Sequence, residues 1–568
     1  MSNSDTQPAS VSSDVTHKSI DEKPDEFEDY HGDPNEKPEF LGANGKKLNL
    51  YVSCLASTGF LLFGYDQGVM GSLLSLDSFR ETFKTIDTYS NPHNSTLQGF
   101  TIAVYEIGCF MGAISTLYLG DKLGRLKIMF IGCIIMIIGA ILQCTSFGLA
   151  QLIVARIITG IGNGMNTSTV PVWQSECAKP SQRGKLIAVA GAMITGGIMI
   201  SYWIDFGFYF TKGTVSWRFP IAFQIVFALI ILPVVFKLPE SPRWLLKKGR
   251  YEEARKVFAA LEGTILADEK IHRDLLEVKA SLDEENLSGG DNAFNLKILF
   301  TQGEHRNFHR MMLGLWSQIM QQICGINLIT YYAGTIYEKY IGMTPLNSRI
   351  LAACNGTEYF IASWIAFYTV ESFGRRKLKL WGAAGQSATM AILTGCSWAA
   401  DKKGDNHAAI AAAVFLFVFN TFFGASWLSL AWLYPAEINS LAIRAPANGV
   451  STAGNWLFNF MVVMITPVAF ENIGSYTYTI FAAINFLMVP TVYFLYPETA
   501  GRSLEEMDRI FAACDPWKPW DIVKIAEEMP YEEPQGKHHV GYRKDDDPEK
   551  GTSEFVEGGL FENHSDSN

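Results

Sequence analysis

The chain has 568 residues, 48% of them hydrophobic and 13% aromatic, and a formal net charge of −11. That charge sits largely in polar tails such as "DEKPDEFEDYHGDPNEKPEF", and no basic stripe marks a nucleic-acid surface. Histidine is scarce, at ten residues, and neither a nucleophile–base pair nor a metal-ligand spacing occurs, which argues against an enzyme and against a bound metal.

In chain order, residues 1–48 read as a disordered acidic tail, too poor in apolar residues to form a core. Six apolar blocks follow within 49–237: Leu50–Leu74, Leu97–Tyr118, Ile128–Ser146, Leu149–Val172, Leu186–Phe206 and Trp217–Lys237. A charged linker occupies 238–308 and is expected to carry short helices. Six more blocks fill 309–497: Met311–Tyr332, Ile350–Val370, Leu378–Ala400, Ala408–Tyr434, Ala447–Phe470 and Tyr476–Tyr496, and a polar tail, 498–568, closes the chain. Each block is near the roughly 20 residues that cross a bilayer as a helix. The expectation is an all-α, multi-pass membrane protein with twelve spanning helices. Lysine and arginine concentrate in the loops after the second, fourth and eighth blocks, so both termini are expected in the cytoplasm. The nine cysteines fall mostly inside apolar blocks and read as small core residues. Asn94, in the loop after the first block, opens an Asn-Ser-Thr glycosylation sequon on the expected outer side.

The chain repeats itself. "GDKLGRLK" returns as "ESFGRRKLK", aligning Asp121 and Arg125 with Glu371, Arg375 and Arg376. "ECAKPSQR" spaces Glu176 seven residues before Arg183, and "EINSLAIR" gives Glu437 and Arg444 the same spacing. "LPESPRWL" returns as "YPETAGRSL". Three signatures in one order at nearly one offset imply two six-helix halves related by an axis along the membrane normal, with a substrate site between them near the midplane. The acid–arginine groups are expected to be cytoplasmic latches that hold the inner ends of the halves together.

These motifs, "GRR", "PESPR" and "PETAGRS" above all, resemble those of sugar porters of the major facilitator superfamily, over about 48–511. "GYDQGVMGSL", "NTSTVPVWQSE" and "SYWIDFGF" are similar to a fungal branch that includes glycerol–proton symporters. The resemblance implies the major facilitator fold, a plasma-membrane location and a monomer that carries a small polyol or sugar. One departure is Leu126, where the family's first-half motif usually has a second arginine.

Asp66 puts a carboxylate inside the first apolar block, and such residues are rare, face cavities and pair. Arg156 is the candidate partner, being the one arginine well inside a first-half span. In proton-coupled relatives the matching positions form the proton site, so the coupling ion is expected to be a proton and no other cofactor is implied. Glu106 is a further candidate carboxylate without an evident partner. "QQICGINLITYY" offers Gln321, Gln322 and Asn327 as donor–acceptor amides suited to hydroxyls, with Gly325 as a break that would bring them to one face. The resemblance adds Tyr331 and Tyr332 as gating aromatics, Trp432 as a ring-packing residue, Asn455 as a polar ligand beside Trp456, and Tyr359 at a position where relatives usually carry Asn. Hexose-binding relatives carry Gln where this chain has Ala190 and Gly191. The missing amides favour a ligand smaller than a hexose, glycerol first; a hexose or pentose carrier and a transporter-like sensor are the alternatives.

Overall fold

A computed structural model describes residues 33–178, 183–289, 296–303, 305–502, 504–515 and 517–531. Among these no β-strand occurs, and a helix covers each of the twelve apolar blocks. The first six are α1 (Gly45–Leu73), α2 (Ser95–Leu123), α3 (Arg125–Cys144), α4 (Leu149–Cys177), α5 (Arg183–Tyr209) and α6 (Val215–Val235). Three linker helices follow: α7 (Pro242–Lys247), α8 (Tyr251–Glu262) and α9 (Glu269–Gly289). The seventh block is split into α10 (Asn307–Ile323) and α11 (Ile326–Thr335), which ends in a π-type turn, Ile336–Tyr340. Then come α12 (Pro345–Phe373), α13 (Arg375–Lys403), a tenth block split into α14 (Asn406–Gly424) and α15 (Trp427–Ile438), α16 (Leu441–Ile473) and α17 (Thr477–Leu495). Two short helices, α18 (Leu504–Ala513) and α19 (Ile522–Glu528), end the described chain.

Seven helical stretches among the described residues are long and apolar enough to cross a membrane. The helices outside that set, α4 and α10 to α13, also carry several interior polar groups. These include Arg156 and Asn163 on α4, Gln318 and Gln321 on α10, Asn355 on α12, and Lys379 and Gln386 on α13, all buried. Their sequences are too polar to look like lipid-facing helices because they line the protein's inside. On the outside the pattern inverts. Ile131, Ile134, Ile138 and Ile141 expose one face of α3 at helical spacing, as expected where lipid replaces water.

Glycines set the packing within the first half. A Cβ at Gly160 or Gly164 of α4 would run into the α2 backbone at Tyr105 and Cys109, while one at Gly162 would sit 2.5 Å from Gly132 O on α3. The "GIGNG" stretch thus wedges α4 between two neighbours at backbone contact. Across the halves, α1 lies on α11, α2 on α16, and α5 on α12.

The stretch after residue 33, placed by composition in the disordered tail 1–48, is ordered. Glu36 O and Pro34 O accept from Leu266 N at 3.1 Å and Ala267 N at 3.0 Å, tying it to the linker beyond α8. Backbone pairing of this kind is invisible to a composition argument.

Candidate functional site

The seventh block breaks at Gly325, whose φ of +104° is a conformation that side chains resist. Asn485 Nδ2 donates to Cys324 O at 2.8 Å, satisfying a carbonyl the break leaves free. The break lets amides on α10 and α11 join a continuous chain. Asn455 Nδ2 donates to Gln318 Oε1 at 2.6 Å and to Gln321 Oε1 at 2.9 Å. Gln322 Nε2 donates to Gln321 Oε1 at 3.3 Å, and Asn327 Nδ2 donates to Gln322 Oε1. Gln67 Nε2, from α1 in the other half, donates to Asn327 Oδ1 at 3.1 Å. Gln321 Nε2 ends on Trp427 O and Leu428 O, at 3.2 and 3.0 Å, where the α14–α15 break exposes carbonyls. All six amide side chains are buried.

Of the aromatic candidates, Tyr332 donates to Val463 O at 2.8 Å and Tyr331 donates to Glu106, which supplies that glutamate with a partner its sequence did not suggest. Tyr359 is buried against Phe423, ring centroids 6.1 Å apart, beside the Gly424 break. Trp456 meets Phe63 of α1 edge-on at 5.6 Å, and its indole N–H has no partner among the described residues. Trp432 is half-buried on α15 and makes no hydrogen bond or ring contact among the described residues. Gly191 explains itself sterically: a Cβ there would stand 2.8 Å from Ser429 Oγ on α15.

Asp66 is fully buried, and neither carboxylate oxygen has a hydrogen-bond partner. The Arg156 guanidinium and the Tyr105 phenol are the polar groups beside it. Asp66 and Arg156, expected as a pair, are held apart. Arg156 donates instead to Ile102 O at 3.2 and 2.8 Å and lies 5.1 Å from the Tyr105 ring centroid, with Nη1 unsatisfied. Charges that could neutralise each other are thus both buried and unjoined, an arrangement that costs several kcal/mol unless one of them is neutral.

The repeated motifs meet at one end of the bundle. Among the described residues, ion pairs of these motifs join each half to itself, to the linker or to the C-terminal segment, where a latch between the halves is expected from the sequence. Glu176 pairs with Arg125 at 3.0 Å, and Glu437 with Arg375 at 2.8 Å. Glu437 is not met by the arginine spaced seven residues on, since Arg444 donates to Asn439 O at 3.4 Å; the Arg183 side chain lies outside the described residues. Asp121 takes Lys247 at 2.5 Å and Arg125 at 3.8 Å, Glu371 takes Arg375 at 3.0 Å, and Arg376 pairs with Glu527 at 3.1 Å. Spacing along a helix fixes which residues share a face, but the true partners come from neighbouring helices.

Sequence reasoning missed the role of Glu240 and Glu498, although "PES" and "PET" were in view as repeats. Glu240 accepts from Arg125 N and Leu126 N at 3.1 and 3.2 Å; Glu498 accepts from Arg375 N and Arg376 N at 2.7 and 3.1 Å. Each carboxylate caps a helix start from another element. Gln67 and Gln318 were also missed; both are amides on otherwise apolar helices, which was the available signal. Asn94 is tied into its own loop, its amide donating to Asp87 O at 3.0 Å.

The family model for "Sugar (and other) transporter" matches residues 52–511. Sugar transporter STL1 of Saccharomyces cerevisiae is 40% identical over 517 residues, covering 90% of each chain. A high-affinity glucose transporter of Kluyveromyces lactis is 30% identical, covering 85% of this chain and 88% of its own. Among solved structures, the proton:xylose symporter XylE bound to a bromodeoxyglucose superposes with a TM-score of 0.70 at 24% identity, over 82% of this chain and all of that one. Inward-open XylE from E. coli gives 0.65. A break-lined amide chain inside a twice-written helical bundle, matched by transporters over most of its length, assigns the chain to the sugar transporter family of the major facilitator superfamily, multi-pass membrane carriers rather than enzymes.

Proposed function

We propose that this protein is a plasma-membrane carrier that takes up a small polyol, glycerol first, together with a proton. Its twelve apolar blocks all cross the membrane, both termini and the motif end face the cytoplasm, and it works as a monomer. The halves 49–237 and 309–497 rock about the site, joined by the linker 238–308.

The observation that carries the coupling is the separated pair Asp66–Arg156, each buried with unsatisfied atoms. Protonating Asp66 removes the charge that would otherwise draw Arg156. The structure, with Arg156 turned to the α2 backbone, fits that loaded state. When Arg156 returns to Asp66 on the inward side, the carboxylate's proton affinity falls and the proton leaves. Asp66 receives and releases the proton; Arg156 sets its affinity.

The amide chain supports a hydroxylated ligand. Gln321, Gln322, Asn327 and Asn455, with Gln67, bond one another across the break, and hydroxyls can replace those mutual bonds one for one. In this reading Tyr331 and Tyr332 act as gating aromatics, and Tyr359 and Trp432 as walls of the site. The bulk of Tyr359 and the bare backbone at Gly191 favour glycerol over a ring sugar. The glucose-transporting relative favours a second reading, a hexose or pentose carrier.

The test is external pH in weakly buffered cells that express the protein and lack other glycerol and sugar carriers. Alkalinisation on a glycerol pulse, absent with glucose and xylose, is the expected result. Alkalinisation on a sugar selects the second reading, and labelled uptake without a pH change removes the coupling.

A further inference from the structure

Among the buried acids that the mechanism above leaves unused, one stands at the seam of the halves with both carboxylate oxygens unpartnered. Asp205, on α5, is 1% exposed, and neither carboxylate oxygen has a hydrogen-bond partner. One helical turn on, at the same face, is Tyr209, and the Arg349 guanidinium of α12 lies 4.2 Å above that ring. Arg349 is itself 2% exposed and turned elsewhere. It donates to Ser75 O and Oγ at 3.1 and 3.0 Å, to Pro345 O at 2.8 Å, and pairs with Glu338 at 3.3 Å, leaving its Nε unsatisfied.

This repeats the logic of Asp66 and Arg156: a buried acid without a partner, and an arginine stacked on a tyrosine that spends itself on backbone carbonyls. The second arrangement stands at the opposite end from the motifs, at the seam of the halves. Arg349 belongs to the second half and Ser75 to the first. Around it the same seam is shut by Tyr202 OH donating to Thr330 O at 2.5 Å and Lys339 Nζ donating to Thr88 O at 2.8 Å. Arg349 is therefore part of the closed outer gate.

We propose that Asp205 is a proton-binding site that links closure of the outer gate to external acidity, an inference that rests on the carrier reading and its orientation. With the gate shut, Arg349 is held by Ser75 and Glu338, and Asp205 keeps a proton taken from external water. Opening breaks the Arg349–Ser75 bonds, the freed guanidinium pairs with Asp205, and the proton returns to the outside. The proton is not carried across, so this site sets affinity from outside and leaves the coupling ratio to Asp66.

The other titratable groups facing this site are accounted for. From α1 come Tyr65, which donates to Pro220 O at 2.7 Å, and Asp66; from α5 Tyr202 and Tyr209. Glu358 of α12 accepts from Thr421, Arg218 of α6 donates to Cys144 O and Ser146 O, and Tyr337 and Glu338 lie in the turn after α11. On the remaining neighbours, Arg156 and Glu176 of α4 and Glu437 of α15 are engaged with Ile102, Arg125 and Arg375. Among the described residues, Arg349 is the cation whose charge acts on Asp205.

The test uses the full chain in vesicles with equal pH on both sides, and reads exchange of labelled glycerol in Asp66→Asn, where Asp66 no longer titrates. Bound glycerol favours the closed gate, and closure takes up the proton, so half-saturation is expected to fall as the medium is acidified, by up to about tenfold per pH unit for one linked proton, and to be flat in Asp66→Asn/Asp205→Asn. A flat profile in Asp66→Asn alone, or an unchanged slope in the double variant, overturns the proposal. So does a lowered proton-to-glycerol ratio in Asp205→Asn. A wild-type protein that moves no protons sinks the coupling reading but leaves the exchange profile to decide this one. If Asp205→Asn does not reach the membrane, a hydrophobic carbodiimide on the wild-type protein serves. An adduct on the Asp205 peptide that grows with acidity supports the site, and its absence at every pH refutes it.

Discussion

Around Asp66, on α1, α2 and α4, the buried polar groups are charges kept from one another; around Gln321, on α10, α11 and α16, they are amides bonded to one another. Asp66 and Arg156 leave three polar atoms unsatisfied between them, whereas Gln321 alone makes bonds to Trp427, Leu428, Gln322 and Asn455. The second half does bury a cation, Lys379, but satisfies it: Nζ donates to Ser317 Oγ at 2.8 Å and lies 3.9 Å from the Tyr434 ring centroid. The contrast is physical. A proton site must hold two charge states of similar free energy, so no single partner can be made permanent. A site for hydroxyls needs neutral donors and acceptors that rest on each other when empty. At the motif end the halves are alike, with Glu240 and Glu498 capping equivalent helices, so the two copies diverged where the ligands differ and kept the shared frame.

The largest effect should come from Asp66→Asn. Uphill accumulation of substrate is expected to vanish, with internal and external concentrations levelling, while exchange stays within about threefold of wild type because the amide chain is untouched. If exchange falls as far as accumulation, the two regions are one site and the contrast fails. Gln321→Ala should do the converse. It strands the Trp427 and Leu428 carbonyls and an Asn455 donor, each roughly 1–3 kcal/mol, so transport efficiency is expected to drop about 100-fold, with any residual flux still carrying protons.

Much of this contrast was legible beforehand. An aspartate in an apolar block is conspicuous, and so are three amides around a glycine. The split helix at Gly325 followed from the need to bring Gln321 and Asn327 to one face. What the sequence concealed were partners supplied by another segment. Arg125 makes its shorter ion pair with Glu176 of another helix, and Glu240 caps a helix that starts over a hundred residues earlier. The separation of Asp66 from Arg156 was also hidden, since both residues read as a pair and only their surroundings show Arg156 spent on Ile102 O. Asp205 stood in a motif that signalled kinship and gave no hint that its carboxylate lacks a partner.

The shared frame can be tested at the glycines that open α3 and α13. Gly124 and Gly374 hold φ of +89° and +87°, and a Cβ at either would collide with the capping carboxylate of Glu240 or Glu498. Conformations of this kind cost a side chain about 1–3 kcal/mol. Gly124→Ala and Gly374→Ala should each lower the melting temperature of the purified protein by a few degrees, and by similar amounts. Clearly unequal losses would mean the halves are less alike at this end than their geometry implies.

The smallest effect is expected from Gly191→Gln, which sets an amide into the first half beside the chain that belongs to the second. The new Cβ would meet Ser429 Oγ at 2.8 Å. That hydroxyl has no hydrogen bond to lose, so rotation of one serine clears the space. The longer side chain then reaches toward Leu428, whose carbonyl already accepts from Gln321. Half-saturation for glycerol should rise only about threefold, roughly 0.6 kcal/mol, because bulk is added without removing a partner. Glucose, silent against the wild-type protein, should begin to compete with labelled glycerol. If glucose competes against both proteins alike, the ligand is recognised by α10, α11 and α16 alone and α5 supplies only the wall. If it competes against neither, the exclusion of a ring sugar lies with Tyr359, whose ring fills the space beside the Gly424 break.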